Sequence, residues 1–295
     1  MYFKINMKYQ KILLLIIALI FIAGCQKNIS DTGPQGAYIG GTQGLEISFV
    51  KDEPPETVLD ANSDPFYITL KFKNIGEYDI EKGDIKVTLD GISKQEFQIN
   101  SLTKTNDNSI LGSQKERTEI LEGDEDEITF EAKYKPDLTA DFTVKIGANI
   151  CYNYGTETIS SLCLRKDVNA RVKERDACII DEEKVIENSA APVQIINLRE
   201  RPIGSNKIRI TFDIENQGDG TPFAPATFAI GDCYEKEDKK EQVYVRVIPG
   251  GSGNLKFKCS KLDNKERGEV RLIEGKTTVS CEASTSNLQD LSLIH

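Results

Sequence analysis

The feature that leaves this chain least freedom is a period of two. Phe66, Ile68, Leu70 and Phe72 alternate with Tyr67, Thr69, Lys71 and Lys73, and only an extended strand with one buried face gathers such a set on one side. The run stops at Asn74, Ile75 and Gly76, a turn. Ile85, Val87 and Leu89 repeat the pattern and end at Asp90 and Gly91, a hairpin signal. Ile128, Phe130, Ala132 and Tyr134 do so again before Pro136, and the longest alternation runs from Phe142 through Val144, Ile146, Ala148 and Ile150 to Tyr152. No helical period competes with these strands, so the expectation is an all-β chain.

A second group of strands follows a charged stretch. Val193 to Leu198 begins it, and Ile208, Ile210, Phe212 and Ile214 alternate up to the turn Asn216, Gln217, Gly218, Asp219, Gly220. Val243, Val245 and Val247 form a strand, Pro249 to Gly253 a turn, and Leu255, Phe257 and Cys259 the next strand. ITFDIENQGDG echoes KFKNIG at the same point of the pattern, as a distant repeat would. At 295 residues the chain has room for about two domains, and 39% apolar residues suffice for two cores.

The amino end differs from everything after it. Lys4, Lys8 and Lys11, with no acidic residue among them, precede twelve apolar residues from Ile12 to Ala23. That is the length of a secretory signal core and is shorter than the roughly 20 residues of a membrane-spanning helix. Ile22, Ala23, Gly24 and Cys25 resemble the lipobox of secreted lipoproteins. The resemblance implies cleavage before Cys25 and lipid on its sulfur, with an uncleaved helix as the alternative. Residues 1–24 are then a lipoprotein signal peptide, and 25–44, polar with six scattered Gly and Pro residues between Gly33 and Gly44, a tether.

Six further cysteines remain, Cys151, Cys163, Cys178, Cys233, Cys259 and Cys281, an even set that suggests three disulfides, with fifteen connectivities open. None forms a CxxC pair, so structural zinc has no support. If Cys151 and Cys163 face each other across a hairpin turning near Glu157, then Ile150 meets Leu164 and Tyr152 meets Leu162 on the other face, so this bridge is the first expectation. Cys259 shares parity with Leu255 and Phe257, and Cys281 with Val279, which suggests a core bridge. Elimination leaves Cys178 with Cys233.

KFKNIG, IKVTLDG, LEGDEDEITFEAKY and DFTVKIGANICY together resemble the strand-and-turn pattern of CARDB-type immunoglobulin-like modules of prokaryotic cell surfaces, over about Leu45 to Arg165. The resemblance implies two tandem immunoglobulin-like antiparallel β-sandwiches after the anchor segment: sandwich 1 at 45–173, a linker at 174–191, and sandwich 2 at 192–295, with truncation at its C-terminal end as one reading.

Several function classes lose support. Residues 1–24 carry three lysines and no acid, so the remainder has 34 basic against 47 acidic side chains, a balance of −13, and nucleic acid is not an expected partner. The lone histidine, His295, is the last residue, which leaves a Ser/His/Asp or Cys/His arrangement without its base. Asp60, Asn62 and Asp64 have calcium-loop spacing, but Pro65 stands in place of the required Gly and Lys71 in place of the bidentate Glu. Asp124 to Glu127 read as a charged turn. No metal or cofactor is expected. The expectation is a non-enzymatic surface protein, held to the membrane outside the cytoplasm, with a protein or surface-polymer partner and a role in adhesion, scaffolding or envelope assembly. The alternatives are a fibre subunit assembled by strand complementation and a carbohydrate- or ligand-binding lipoprotein.

Overall fold

The computed structural model describes residues 36–61, 64–117, 119–165, 167–169, 178–224, 237–250, 255–286, 288 and 292–294. Within Gly36–His295, one continuous unit, two hydrophobic cores form, and every strand pairing among the described residues is antiparallel.

The first core is built from β1 (Leu45–Phe49), β2 (Phe66–Asn74), β3 (Ile85–Asp90), β4 (Thr103–Thr105), β5 (Gln114–Glu116), β6 (Glu119–Leu121), β7 (Glu125–Ala132) and β8 (Gly147–Tyr152). One sheet has the order β1–β2–β7 and a second β4–β3–β8, with β5 and β6 as a separate ribbon. The register joins apolar positions to apolar positions: Phe66 lies opposite Ala132, Ile68 opposite Phe130 and Leu70 opposite Ile128. From the facing sheet Ile85, Val87 and Leu89 complete the core. Because side chains alternate between faces, a slip of one residue would turn this whole set into water. The alternation from Phe142 to Tyr152 becomes strand only from Gly147. Asp90 lies opposite Gly147 and β3 ends there, so residues 142–146 have no ladder partner, and Phe142 is exposed.

The second body contains β9 (Thr158–Ser160), β10 (Leu162–Leu164), β11 (Glu182–Glu183), β12 (Ile186–Asn188), β13 (Val193–Ile203), β14 (Lys207–Asn216), β15 (Gln242–Arg246), β16 (Phe257–Cys259), β17 (Arg267–Arg271) and β18 (Lys276–Ser284), and β19 (Ser292–Ile294) pairs with β10. A five-stranded sheet of order β11–β13–β14–β18–β16 and the ribbon β15–β17 both send side chains into its core. Ile210 lies opposite Cys281, and Phe212 opposite Val279. A bulge between Ile196 and Arg199, with Asn197 at φ 55°, shifts the parity of β13. Val193 and Ile195 before it and Leu198 after it all reach the core, the purpose a bulge serves.

The chain passes from one core to the other between Tyr154, which packs on the first, and Thr158, which opens β9 beside β12. Leu162, Cys163, Leu164 and Val168 therefore pack in the second core, not in the first body where a boundary at 173 would put them. The stretch expected to be a linker, 174–191, carries β11 and β12, paired with β13 and β9.

That crossing corrects the first disulfide expectation. Cys151 lies on β8 opposite Lys86 of β3, while Cys163 lies in the second core bonded to Cys178, with Cα atoms 5.6 Å apart. The apolar faces that suggested a local hairpin are satisfied separately, Ile150 against β3 and Leu162 with Leu164 inside the second body. The elimination that paired Cys178 with Cys233 falls with it, and Cys233 lies outside the described residues. Cys259 and Cys281 stand directly opposite each other on β16 and β18 and are joined.

Candidate functional site

Two features stand out where the two bodies meet: a polar lock and, beside it, a cleft.

The lock centres on Glu77, just past the turn that ends β2. Its carboxylate accepts hydrogen bonds from the backbone N–H groups of Ile39 (2.9 Å), Gly40 (3.1 Å) and Ala190 (2.7 Å). It thus ties the segment before β1 to the segment before β13. Gly44 O takes both Ile75 N and Gly76 N at 2.9 Å, and the Gln194 amide donates to Gly41 O and Ala191 O. Residues 36–44, the described end of the expected tether, are held against both bodies. Tyr154 donates its hydroxyl to Asn74 Oδ1 at 3.0 Å, and the Asn74 amide donates to Tyr78 O and Ile110 O. Burial pushes the Tyr154 hydroxyl well above the ordinary tyrosine range. Gly76 is required here, because a Cβ would stand 1.9 Å from the Tyr154 hydroxyl and 2.6 Å from Ala190 O. Tyr38 donates to Glu157 at 3.1 Å, and burial followed by that carboxylate pushes its hydroxyl up to about 12.

Replacing Glu77 by Ala orphans three backbone donors and is expected to cost about 2 kcal/mol. Urea unfolding would measure the loss, and amide exchange should speed up at Ile39, Gly40 and Ala190. Unchanged exchange at those amides would show that Glu77 is not what holds the bodies.

The cleft has a volume of about 1290 Å³, beyond the roughly 300–1,000 Å³ of ordinary small-molecule pockets. Ile47 and Tyr152 come from the first body, and Ile195, Phe212, Val243 and Val245 from the second. Residues of β13, β14 and β15 form much of its wall, β13 and β14 as paired neighbours in one sheet. Nothing in this lining forms a nucleophile–base pair; polar side chains such as Glu46, Asn153, Thr158 and Asp219 share it with the apolar ones, so the surface can bury apolar groups and hydrogen-bond a partner.

A buried ion pair lies on the other flank of β13. Glu200 is fully buried; its Oε2 accepts from Cys163 N at 2.8 Å and pairs with Lys184 Nζ at 3.1 Å, while its Oε1 has no hydrogen-bond partner. Lys184, itself buried, also reaches Glu182 at 2.7 Å and donates to Ile179 O. Desolvation raises the Glu200 pKa above the ordinary glutamate value, against the lowering effects of the Cys163 N–H and Lys184.

The residues singled out from sequence fare variously. Cys25, like Cys233, lies outside the described residues. Of the calcium-spaced set, Asp60 receives Leu138 N at 2.8 Å, Asp64 is exposed and Asn62 is outside the described residues. In the run Asp124 to Glu127, Glu125 pairs with Lys71 and Asp126 takes Asn108. Among the described residues no cluster of three or more His, Cys, Asp or Glu side chains could hold a metal. Sequence reasoning missed Glu77, whose partners are backbone atoms far along the chain. It also missed Glu200, although its parity with Leu198 was a usable signal of burial. The two disulfides suggest a non-reducing setting outside the cytoplasm. No family model, curated protein or solved structure matches the chain.

Proposed function

We propose that this is a non-enzymatic surface protein of the extracytoplasmic side, attached to the membrane through lipid on Cys25, with the apolar segment uncleaved as the alternative mode of attachment. Its two cores are tandem immunoglobulin-like β-sandwiches acting as one stiff binding and scaffolding body. The observation that carries the reading is the cleft between strands of both bodies, lined by apolar and polar side chains, too large for a compact metabolite and suited to burying part of a macromolecule. Supporting it are the paired sheets facing each core, the two disulfides and the resemblance of residues 45–165 to surface modules. The Glu77 lock fits a role in which the modules keep a fixed geometry.

Anchoring is tested by labelling cells that express the full chain with tritiated palmitate. Label should enter the protein, and Cys25→Ala should lose it and move from the membrane to the soluble fraction. A Cys25→Ala protein that stays with the membrane would remove lipid from the reading and leave the apolar segment as the anchor. A protein found in the cytoplasmic fraction would overturn the proposal.

A further inference from the structure

Over Gln242–Arg246 the ribbon β15–β17 has one edge with no strand beside it among the described residues, while just before it Pro222–Ala224 pair with Lys239–Glu241. Two hydrogen bonds at its ends set the phase of its ladder: Leu272 N to Glu241 O and Val247 N to Glu266 O, each 2.7 Å. In an antiparallel pair, successive residues alternate between facing the partner strand and facing away. Val243 and Val245 therefore bond β17, and the N–H and C=O groups of Tyr244 and Arg246 point to the open side. The side chains alternate as well: Val243 and Val245 pack toward the core, whereas Tyr244 and Arg246 are exposed, and all four border the cleft.

An extended segment laid along this edge would widen the ribbon over the cleft and drop every second side chain among Ile195, Phe212 and the valines. Hydrocarbon in the same place would cover the outward backbone groups without satisfying them, a cost that a peptide strand avoids. The outer face adds a charge preference. Arg246 and Arg267 lie directly opposite each other, a like-charge pair that works against the ribbon. Both are exposed, and no ion pair holds either among the described residues. In a chain of net charge −10, two adjacent arginines beside an open edge call for acidic side chains on whatever pairs there.

We propose that the open edge of β15 receives an extended strand of a partner protein in which apolar residues alternate with Asp or Glu. The inference rests on the binding role proposed above and names the chemistry of the partner.

The probe is a blocked nonapeptide of alternating Glu and Val, titrated into the purified full chain with its disulfides intact, with a Lys/Val peptide for comparison. The Glu/Val peptide should bind at least about tenfold more tightly, and Arg246→Glu with Arg267→Glu should reverse the preference. Arg246→Pro removes an outward N–H but no bond to β17, and should weaken binding about tenfold or more. Should that variant not fold, amide exchange on the unmodified chain decides. Tyr244 and Arg246 should become protected when peptide is added, and Val243 and Val245 should not change. Equal binding of both peptides, or no protection at Tyr244 and Arg246, overturns the proposal. So does palmitate binding without peptide binding, which would give the cleft to hydrocarbon, or a dimer that peptide does not dissociate, which would give the edge to a second copy. None of these outcomes touches the palmitate-labelling result at Cys25, so failure here and failure of the anchored-protein reading are separable.

Discussion

Glu200→Ala is expected to cost about 3 kcal/mol, because it leaves Lys184 buried with only Glu182 as counter-charge and removes the acceptor of the Cys163 N–H. Glu182 is partly exposed and remains within reach, which keeps the cost at the lower end for breaking a buried pair. Glu200→Gln keeps an acceptor for Cys163 and should lose less. The pH dependence has a definite sign. Burial raises the folded pKa of Glu200, so folding favours the protonated form. The stability this group contributes is complete below the unfolded value of about 4.3 and is lost as pH rises through the folded value. Urea unfolding at a series of pH values should therefore show the stability of the native chain relative to Glu200→Gln falling across that window and flat above it. A difference independent of pH would mean that Glu200 is not desolvated as the fold indicates.

Loss of the Cys259–Cys281 bond should be as severe. The bond closes a separation of 22 residues, worth about 3 kcal/mol in the chain-entropy view, and both cysteines are fully buried in the second core. Cys259→Ala with Cys281→Ala adds the loss of packing around two sulfurs opposite Ile210. The second body should be destabilised most, while the first core, with Phe72 and Phe130 fully buried and neither disulfide, should lose only what the Glu77 lock and its neighbouring contacts contribute. Tyrosine signals from Tyr134 would report the first body separately. With dithiothreitol on the folded protein, Cys178, only partly buried, should expose its bond to reduction before Cys259–Cys281. Alkylation and mass spectrometry would read the order, and prior reduction of the core bond would contradict this placement.

The strands were legible because alternation is local: Phe66 to Phe72, Ile85 to Leu89 and Ile208 to Ile214 sort their own side chains without reference to the rest of the chain. The bridge between Cys259 and Cys281 was legible for the same reason, since parity along a strand says which sulfurs point inward. The pairing of Cys151 with Cys163 failed because parity does not say which strand lies alongside. A hairpin after Tyr152 satisfied the apolar faces on paper as well as the crossing that the fold adopts. The candidate site was nearly invisible: Glu77 binds Ile39, Gly40 and Ala190, groups brought together only by folding, and the cleft is bordered by residues from distant parts of the chain, such as Ile47, Phe212 and Val245.

From its residues alone this chain determined an all-β body, the inward face of most strands and one core disulfide, because period and parity are properties of neighbours. Tertiary structure alone decided where the chain crosses between cores, that Cys163 meets Cys178, and that Glu77 binds segments from both bodies. It also decided that β15, among the described residues, has an edge without a neighbouring strand beside the cleft. Those are contacts between distant parts of the chain, and their free energy exists only when the whole chain is folded.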